Sequence, residues 1–220
     1  MNPRIAIVTA SYGGVDKIYP PEPQSVPCEW HCFGCQADGW QCHDWPVARK
    51  EHGDVYQAKL PKILPELILP QQYEWYLWMD ASCHITSPDF LFVRLSEVGL
   101  ASWLVCNHHI RTTVKEEVGH SLKWERYAEE PLQTMYGHYL RMGFEDTRLY
   151  ANTWFLRRST EQTRAICSDW MNQILLWSYQ DQVSLPYVFW KHRFKPRIAT
   201  GTCWTSLWHT QHGHKTAKYW

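Results

Sequence analysis

The residues of this chain that could do chemistry gather at a few places, and Asp80 marks the first. It ends the aromatic, apolar run of residues 75–79, WYLWM, and two small residues follow, Ala81 and Ser82. Such a run reads as a buried strand. A carboxylate at the carboxyl tip of a buried strand lies where α/β sheets take their ligands. Its oxygens suit a hard divalent cation, and a diphosphate binds through one. The competing reading is a strand-ending aspartate that closes the next turn.

Cys28, His31, Cys32, Cys35, Cys42 and His43 form a second group. Cys32 and Cys35 have CxxC spacing, and Cys42-His43 would complete a structural zinc site. Alternatively, residues 29–33 and 40–43 are two short strands joined by a glycine-containing turn, and the thiols are small buried groups. The third feature is charge. The chain has 22 basic and 22 acidic residues, yet no acidic residue follows Asp181. Lys191, Arg193, Lys195, Arg197, Lys215 and Lys218 lie there, with His192, His209, His212 and His214. A basic end on an otherwise acidic body suits a polyanion, either nucleotide phosphates or nucleic acid. The alternative is a solvated tail.

The elements that would position these groups follow from periodicity. Residues 4–10, RIAIVTA, form a first strand running into Ser11-Tyr12-Gly13-Gly14, a loop that lets backbone approach a ligand. It has neither the GxGxxG spacing of a dinucleotide fold nor a P-loop GK[ST]. A proline-rich connection covers 20–27. Residues 54–69 read as helical, interrupted by Pro61 and Pro65, and 72–79 as the central strand. A helix at 88–98 and a strand at 101–107 follow. Residues 114–143 are helical with a break near Pro131, 150–157 are a strand and 160–176 a helix. Residues 181–190 come next, and 194 onward is irregular.

Strands alternating with helices predict an α/β fold with a largely parallel sheet. The 220 residues suit one domain, 1–220, with a basic C-terminal segment at 194–220. The 14 Trp and 12 Tyr are expected to fill the core and also to line a groove where rings stack on sugars or bases. Neither a secretory signal nor a membrane-spanning run is visible, which predicts a soluble cytoplasmic protein with reduced thiols.

Taken in order, several pieces resemble the TOD1/MUCI70 glycosyltransferase-like family, within the glycosyltransferases of the GT-A fold. They are IAIVTASYGG at 5–14, CFG…GW at 32–40, AKLPKILPEL at 58–67 and WYLWMDAS at 75–82. NHHIRTTVKEE at 107–117, LYANTWFLRR at 149–158 and DW…QDQVSLPYVFWK at 169–191 continue the series. The resemblance implies a Rossmann-like GT-A fold, a mostly parallel central sheet flanked by helices. It also implies transfer of a sugar from a nucleotide-diphosphate donor, a UDP-sugar first among them, to a hydroxyl.

The resemblance implies roles as well. Thr9, Ala10, Ser11, Tyr12 and Gly13 would meet the nucleotide, with Tyr12 stacking on its base. Asp80, Ala81 and Ser82 would line the donor, with Asp80 and Ser82 as ligands of Mn²⁺ or Mg²⁺. More distant relatives carry Asp-x-Asp here, and the Ser82 hydroxyl is a weaker, neutral ligand. The run WHTQHGHKTAKYW resembles a His-x-x-Gly-x-x-Lys element of retaining enzymes. It offers His209 or His212 to the metal and Lys215 to the diphosphate. Asp181 and Gln182 resemble an Asp-Gln pair beside the donor sugar, which leans toward retention and makes Asp181 the catalytic or sugar-positioning carboxylate. Asn152 stands where relatives place a glutamate and would hydrogen-bond the sugar or acceptor. His108, His109, Arg111 and Glu117 would lie on the acceptor side. Lys59 and Lys62 are one turn apart and can share a helix face. They suit a leaving diphosphate whose charge must be neutralised.

The acceptor is then a saccharide or a hydroxymethylated base in DNA. A base would have to be flipped out of its stack, and a net charge of zero counts against a large DNA footprint. The rival class is a non-catalytic, zinc-stabilised nucleic-acid-binding module. Tightly bound zinc without donor binding would single it out.

Overall fold

The computed structural model describes residues 3–13, 16–44, 53–201 and, as backbone alone, 208–210. The strands are β1 (Ile5–Ala10), β2 (Glu29–Phe33), β3 (Gln41–His43), β4 (Trp75–Met79), β5 (Cys83–Ile85), β6 (Trp103–Asn107), β7 (Tyr150–Arg158), β8 (Arg197–Ile198) and β9 (Trp208–Thr210). The helices are α1 (Gly53–Ile63), α2 (Phe90–Val98), α3 (Val114–Ser121), α4 (Leu132–Arg141), α5 (Glu161–Leu176) and α6 (Asp181–Lys191). Seven strands form one sheet in the order β3-β2-β1-β4-β7-β6-β8, and β5 pairs with β9 in a small second sheet. β7 alone runs against its neighbours. The rest are parallel. This is the mostly parallel, Rossmann-like arrangement of a GT-A fold.

β1 and β4 are buried at every position, as strands covered on both faces must be. Their alternate side chains serve two cores. Ala6, Val8, Tyr76 and Trp78 pack with residues of α1, α3, α4, α5 and α6 on one face. Ile5, Ile7, Leu77 and Met79 pack with α2 on the other. The aromatic surplus goes mainly into these layers. Trp30, Trp40, Trp75, Trp78, Trp103, Trp154 and Trp170 are all buried. Fully buried tryptophans of this size contribute large transfer energies, which suits a core rather than a groove. Among the described residues no helix is long and apolar enough to cross a membrane.

Two local departures from the sequence reading bear on the site. The helix expected over 54–69 passes through Pro61 and stops at Ile63, and a 3₁₀ turn, Pro65–Leu67, follows. That turn carries Glu66 to Arg157 of β7, which it meets at 2.8 and 2.5 Å. The reversed β7, which pattern alone did not reveal, has its first residues at the carboxyl end of β4, where the Asp80 amide donates to the Thr153 carbonyl at 2.8 Å.

Candidate active site

The crevice lies at the carboxyl ends of β1, β4 and β6, closed by the start of β7 and by α6. The last two turns of α1 point Lys59 and Lys62 into it. Both reach the same oxygen of Asp181, the first residue of α6: Lys59 Nζ at 2.7 Å and Lys62 Nζ at 2.9 Å from Oδ2. Lys62 continues to Asp80 Oδ1 at 3.3 Å, and Trp78 Nε1 donates to that same oxygen at 2.8 Å. Asn152 Nδ2 donates to the other Asp181 oxygen at 3.1 Å. Two cations thus meet two carboxylates in one cluster.

Burial grades this cluster from back to front. Asp181 is 3% exposed and Asn152 2%. The Asp80 side chain keeps 38% of its surface in the open crevice. Burial alone would raise the Asp181 carboxyl, but the ammonium groups of Lys59 and Lys62 outweigh it and hold Asp181 well below the usual carboxylate range. For Lys59, burial prevails and lowers the pKa despite Asp181. For Lys62, burial is outweighed by Asp181 and Asp80, and its pKa is raised. Asn152 Oδ1 is buried with no hydrogen-bond partner, and so is Thr9 Oγ1 at the end of β1. A buried polar atom without a partner is costly.

A second network adjoins the first through Gln180, which precedes Asp181. Gln180 Nε2 donates to Glu117 Oε1 and Ser121 Oγ, both at 3.0 Å. Arg111 Nε donates to Glu117 Oε2 at 2.5 Å, and Arg111 also contacts His108 Nε2 at 3.0 Å. His108 Nδ1 accepts from the amides of Ile110 and Arg111. Burial, then Arg111, lowers the His108 pKa to about 4, so the ring is a neutral brace. The loop after β6 is therefore fixed to α3 and to the start of α6. Glu117 and Gln180 as a joined pair escaped the sequence reading. The signal was present: Val114, Glu117, Val118 and Ser121 share the buried face of α3, where a glutamate needs a partner.

Other expected residues fall elsewhere. Gln182 turns away from Asp181 and donates to the Tyr150 carbonyl at 3.2 Å, which ties α6 to β7. Ser11 is spent on loop structure: its amide donates to the Phe33 carbonyl at 3.0 Å and its hydroxyl to the Asp16 carbonyl at 3.2 Å. Tyr12 lies over Gly34, whose φ is +74°; a Cβ there would come within 2.4 Å of the Tyr12 ring. Ala10 and Ala81 are buried beside the crevice, Gly13 is exposed and Ser82 half-buried. His209 enters only as backbone, opposite His84 in the β5–β9 pair. His212 and Lys215 lie outside the described residues.

The described residues do not by themselves make a divalent-cation site. Asp80 Oδ1 is met by Trp78 and Lys62, and Ser82 is neutral. Among the described residues no three of His, Cys, Asp and Glu are arranged to hold a metal ion. The proposed zinc ligands divide between two faces, because β2 and β3 pair in parallel and alternate. His31 and His43 meet at 3.0 Å, with His43 stacked on Phe33 of the α1 face. Cys32 and Cys42 meet at 3.1 Å and belong to the opposite core. Cys28 and Cys35 lie on that same side, so the two histidines stand apart from the four thiols.

No curated protein matches the chain. The model of the TOD1/MUCI70, glycosyltransferase-like domain matches residues 53–202, from the start of α1 to beyond β8. With that match running through every member of the ion-paired cluster, the chain belongs to the TOD1/MUCI70 glycosyltransferase-like family.

Proposed function

We propose that the crevice binds a nucleoside-diphosphate sugar and passes the sugar to a hydroxyl, with Lys59 and Lys62 supplying the positive charge. The observation behind this reading is the convergence of two ammonium groups on Asp181, one of them continuing to the half-exposed Asp80. Negative charge grows on the diphosphate as it leaves. Cations already in place stabilise it without reorganisation. Asp181 is a positioning residue: its oxygens are occupied by Lys59, Lys62 and Asn152, so it holds these groups rather than touching the sugar. Asn152 holds Asp181 from behind, and the half-exposed Asp80 accepts from hydroxyls of the donor. Tyr12 offers its ring to the base. The acceptor is a saccharide or a hydroxymethylated base.

Thermal unfolding with UDP, GDP, CDP and ADP, in EDTA and in Mn²⁺, tests this reading. A ligand that binds only the folded state raises the midpoint. At least one diphosphate is expected to do so in EDTA. If none does in either condition, the donor reading falls. A shift seen only with Mn²⁺ would give the charge role to a metal instead of the lysines.

A further inference from the structure

At the far end of α6 from Asp181, a cavity of about 610 Å³ opens between the loop after α4, the start of β7 and the segment after α6. Its lining on α6 begins at Pro186, five residues and about 7.5 Å along the helix from Asp181, and reaches Trp190. Its lining joins two chemistries. Tyr187 and Phe144 are buried in its floor, and Trp190 stacks beside Tyr187 with ring centroids 5.8 Å apart. Phe194 stands next to them. Arg148, Arg193 and Lys195 are exposed around the rim, and none of the three has an ion pair among the described residues. Lys191 differs, since Asp169 holds it at 2.9 Å. Glu145 is the one acidic residue in the lining.

The backbone adds an independent observation. Arg193 has φ +50°, and no other described residue except glycine has a positive φ. It follows the C-cap of α6, a place where glycine is the usual choice. An arginine kept in a conformation that glycine takes at lower cost points to a use for its guanidinium. Beyond it, exposed Lys195 and Arg197 alternate with half-buried Phe194, Pro196 and Ile198. In an extended segment, alternate residues are about 6.6 Å apart, a step comparable to that between successive phosphates of an extended strand.

We propose that this cavity is a binding site for single-stranded nucleic acid, with a base stacked on Trp190 and Phe194 and phosphates on Arg148, Arg193 and Lys195. Aromatic platforms beside a cationic track are how strands are held without regard to sequence. The site is separate from the lysine–aspartate cluster, and its test does not depend on sugar transfer.

The experiment is fluorescence anisotropy with a labelled single-stranded oligonucleotide over a salt series, using the full chain. Binding is expected to weaken steeply as salt rises, because counterions are released from the phosphates. The triple variant Arg148→Gln, Arg193→Gly, Lys195→Gln should lose at least tenfold in affinity. Its unfolding midpoint should be unchanged or higher, since Arg193→Gly relieves the backbone. Wild-type affinity in the triple variant would overturn the proposal, as would no binding at low salt. A free nucleoside monophosphate that competes as well as the oligonucleotide would show that the cavity takes a mononucleotide, and would overturn the strand.

Discussion

Two buried ion clusters in this protein are built on different plans. Arg157, fully buried, grips Glu66 through two hydrogen bonds and also donates to the Ile63 carbonyl at 3.1 Å. The rings of Tyr76 and Trp103 lie within 5.0 and 6.0 Å of its guanidinium. That pair is one cation to one anion, sealed on every side. The Lys59–Lys62–Asp181–Asp80 cluster is shared, graded in burial and open at Asp80. A sealed pair can serve only the fold. A shared cluster with an open end has a charge it can turn toward a ligand.

The largest effect should come from breaking the sealed pair. Glu66→Ala leaves an unpaired guanidinium in the core, and such losses run to about 3–5 kcal/mol. Chemical denaturation measures it, and binding of nucleoside diphosphate by the remaining folded protein should be unchanged. A loss below about 1 kcal/mol, typical of exposed pairs, would erase the contrast between the clusters.

Next in size is Lys62→Met. Asp181 keeps Lys59 and Asn152, so the folded state is expected to lose far less than with Glu66→Ala. Donor affinity or turnover should fall roughly 10- to 100-fold, the scale of one charge-assisted contact at about 1.5–3 kcal/mol. Kinetics and denaturation on the same preparation decide it. If stability collapses while transfer per folded molecule survives, the cluster is structural after all.

The smallest effect is a control on both clusters. Burial, then His43, holds His31 near pKa 4 against an ordinary 6.5, and its ring is tied to Tyr73 at 2.8 Å. The unfolded chain therefore binds more protons below pH 6.5, and stability must fall as pH drops from 6.5 toward 4. Over the first unit His31 should contribute about 1 kcal/mol, and the less buried His108, also lowered to about 4, adds to the loss. Asp181 stays ionised throughout this window, so the loss belongs to neither ion cluster. Denaturation midpoints at pH 6.5 and 5.5, in the wild type and in His108→Gln, check it, and a flat profile in the variant would mean that His31 charges without leaving its place.

These contrasts also show which parts of the molecule could be read from its sequence. The apolar runs of β1 and β4 announced the central strands, and Asp80 announced the crevice, because burial and strand period leave a direct mark on residue type. Lys59, Lys62, Asp181 and Asn152 were each singled out, but not their convergence, which depends on where α1 ends and how α6 begins. The direction of β7 was invisible, since a buried strand has the same composition whichever way it runs. The Cys/His group divides for a related reason. Neighbours in sequence point to opposite faces of a strand, and spacing alone does not tell a ligand set from two halves of two cores. β8, only two residues long, and β9 were too short for any pattern.

The placement of β7 also has a consequence for the order of events on the ribosome. β4 emerges early and pairs with β1, but its other edge waits for a strand that starts only at Tyr150. Until then Tyr76, Trp78 and Asp80 present unpaired amides along an open sheet margin, the kind of edge that recruits other chains. β6, made in between, has no place beside β4 and gains its own partner only from the same late strand. One insertion thus completes the centre of the sheet from both sides. Nascent chains are most exposed to misassociation between the synthesis of Met79 and that of Arg158.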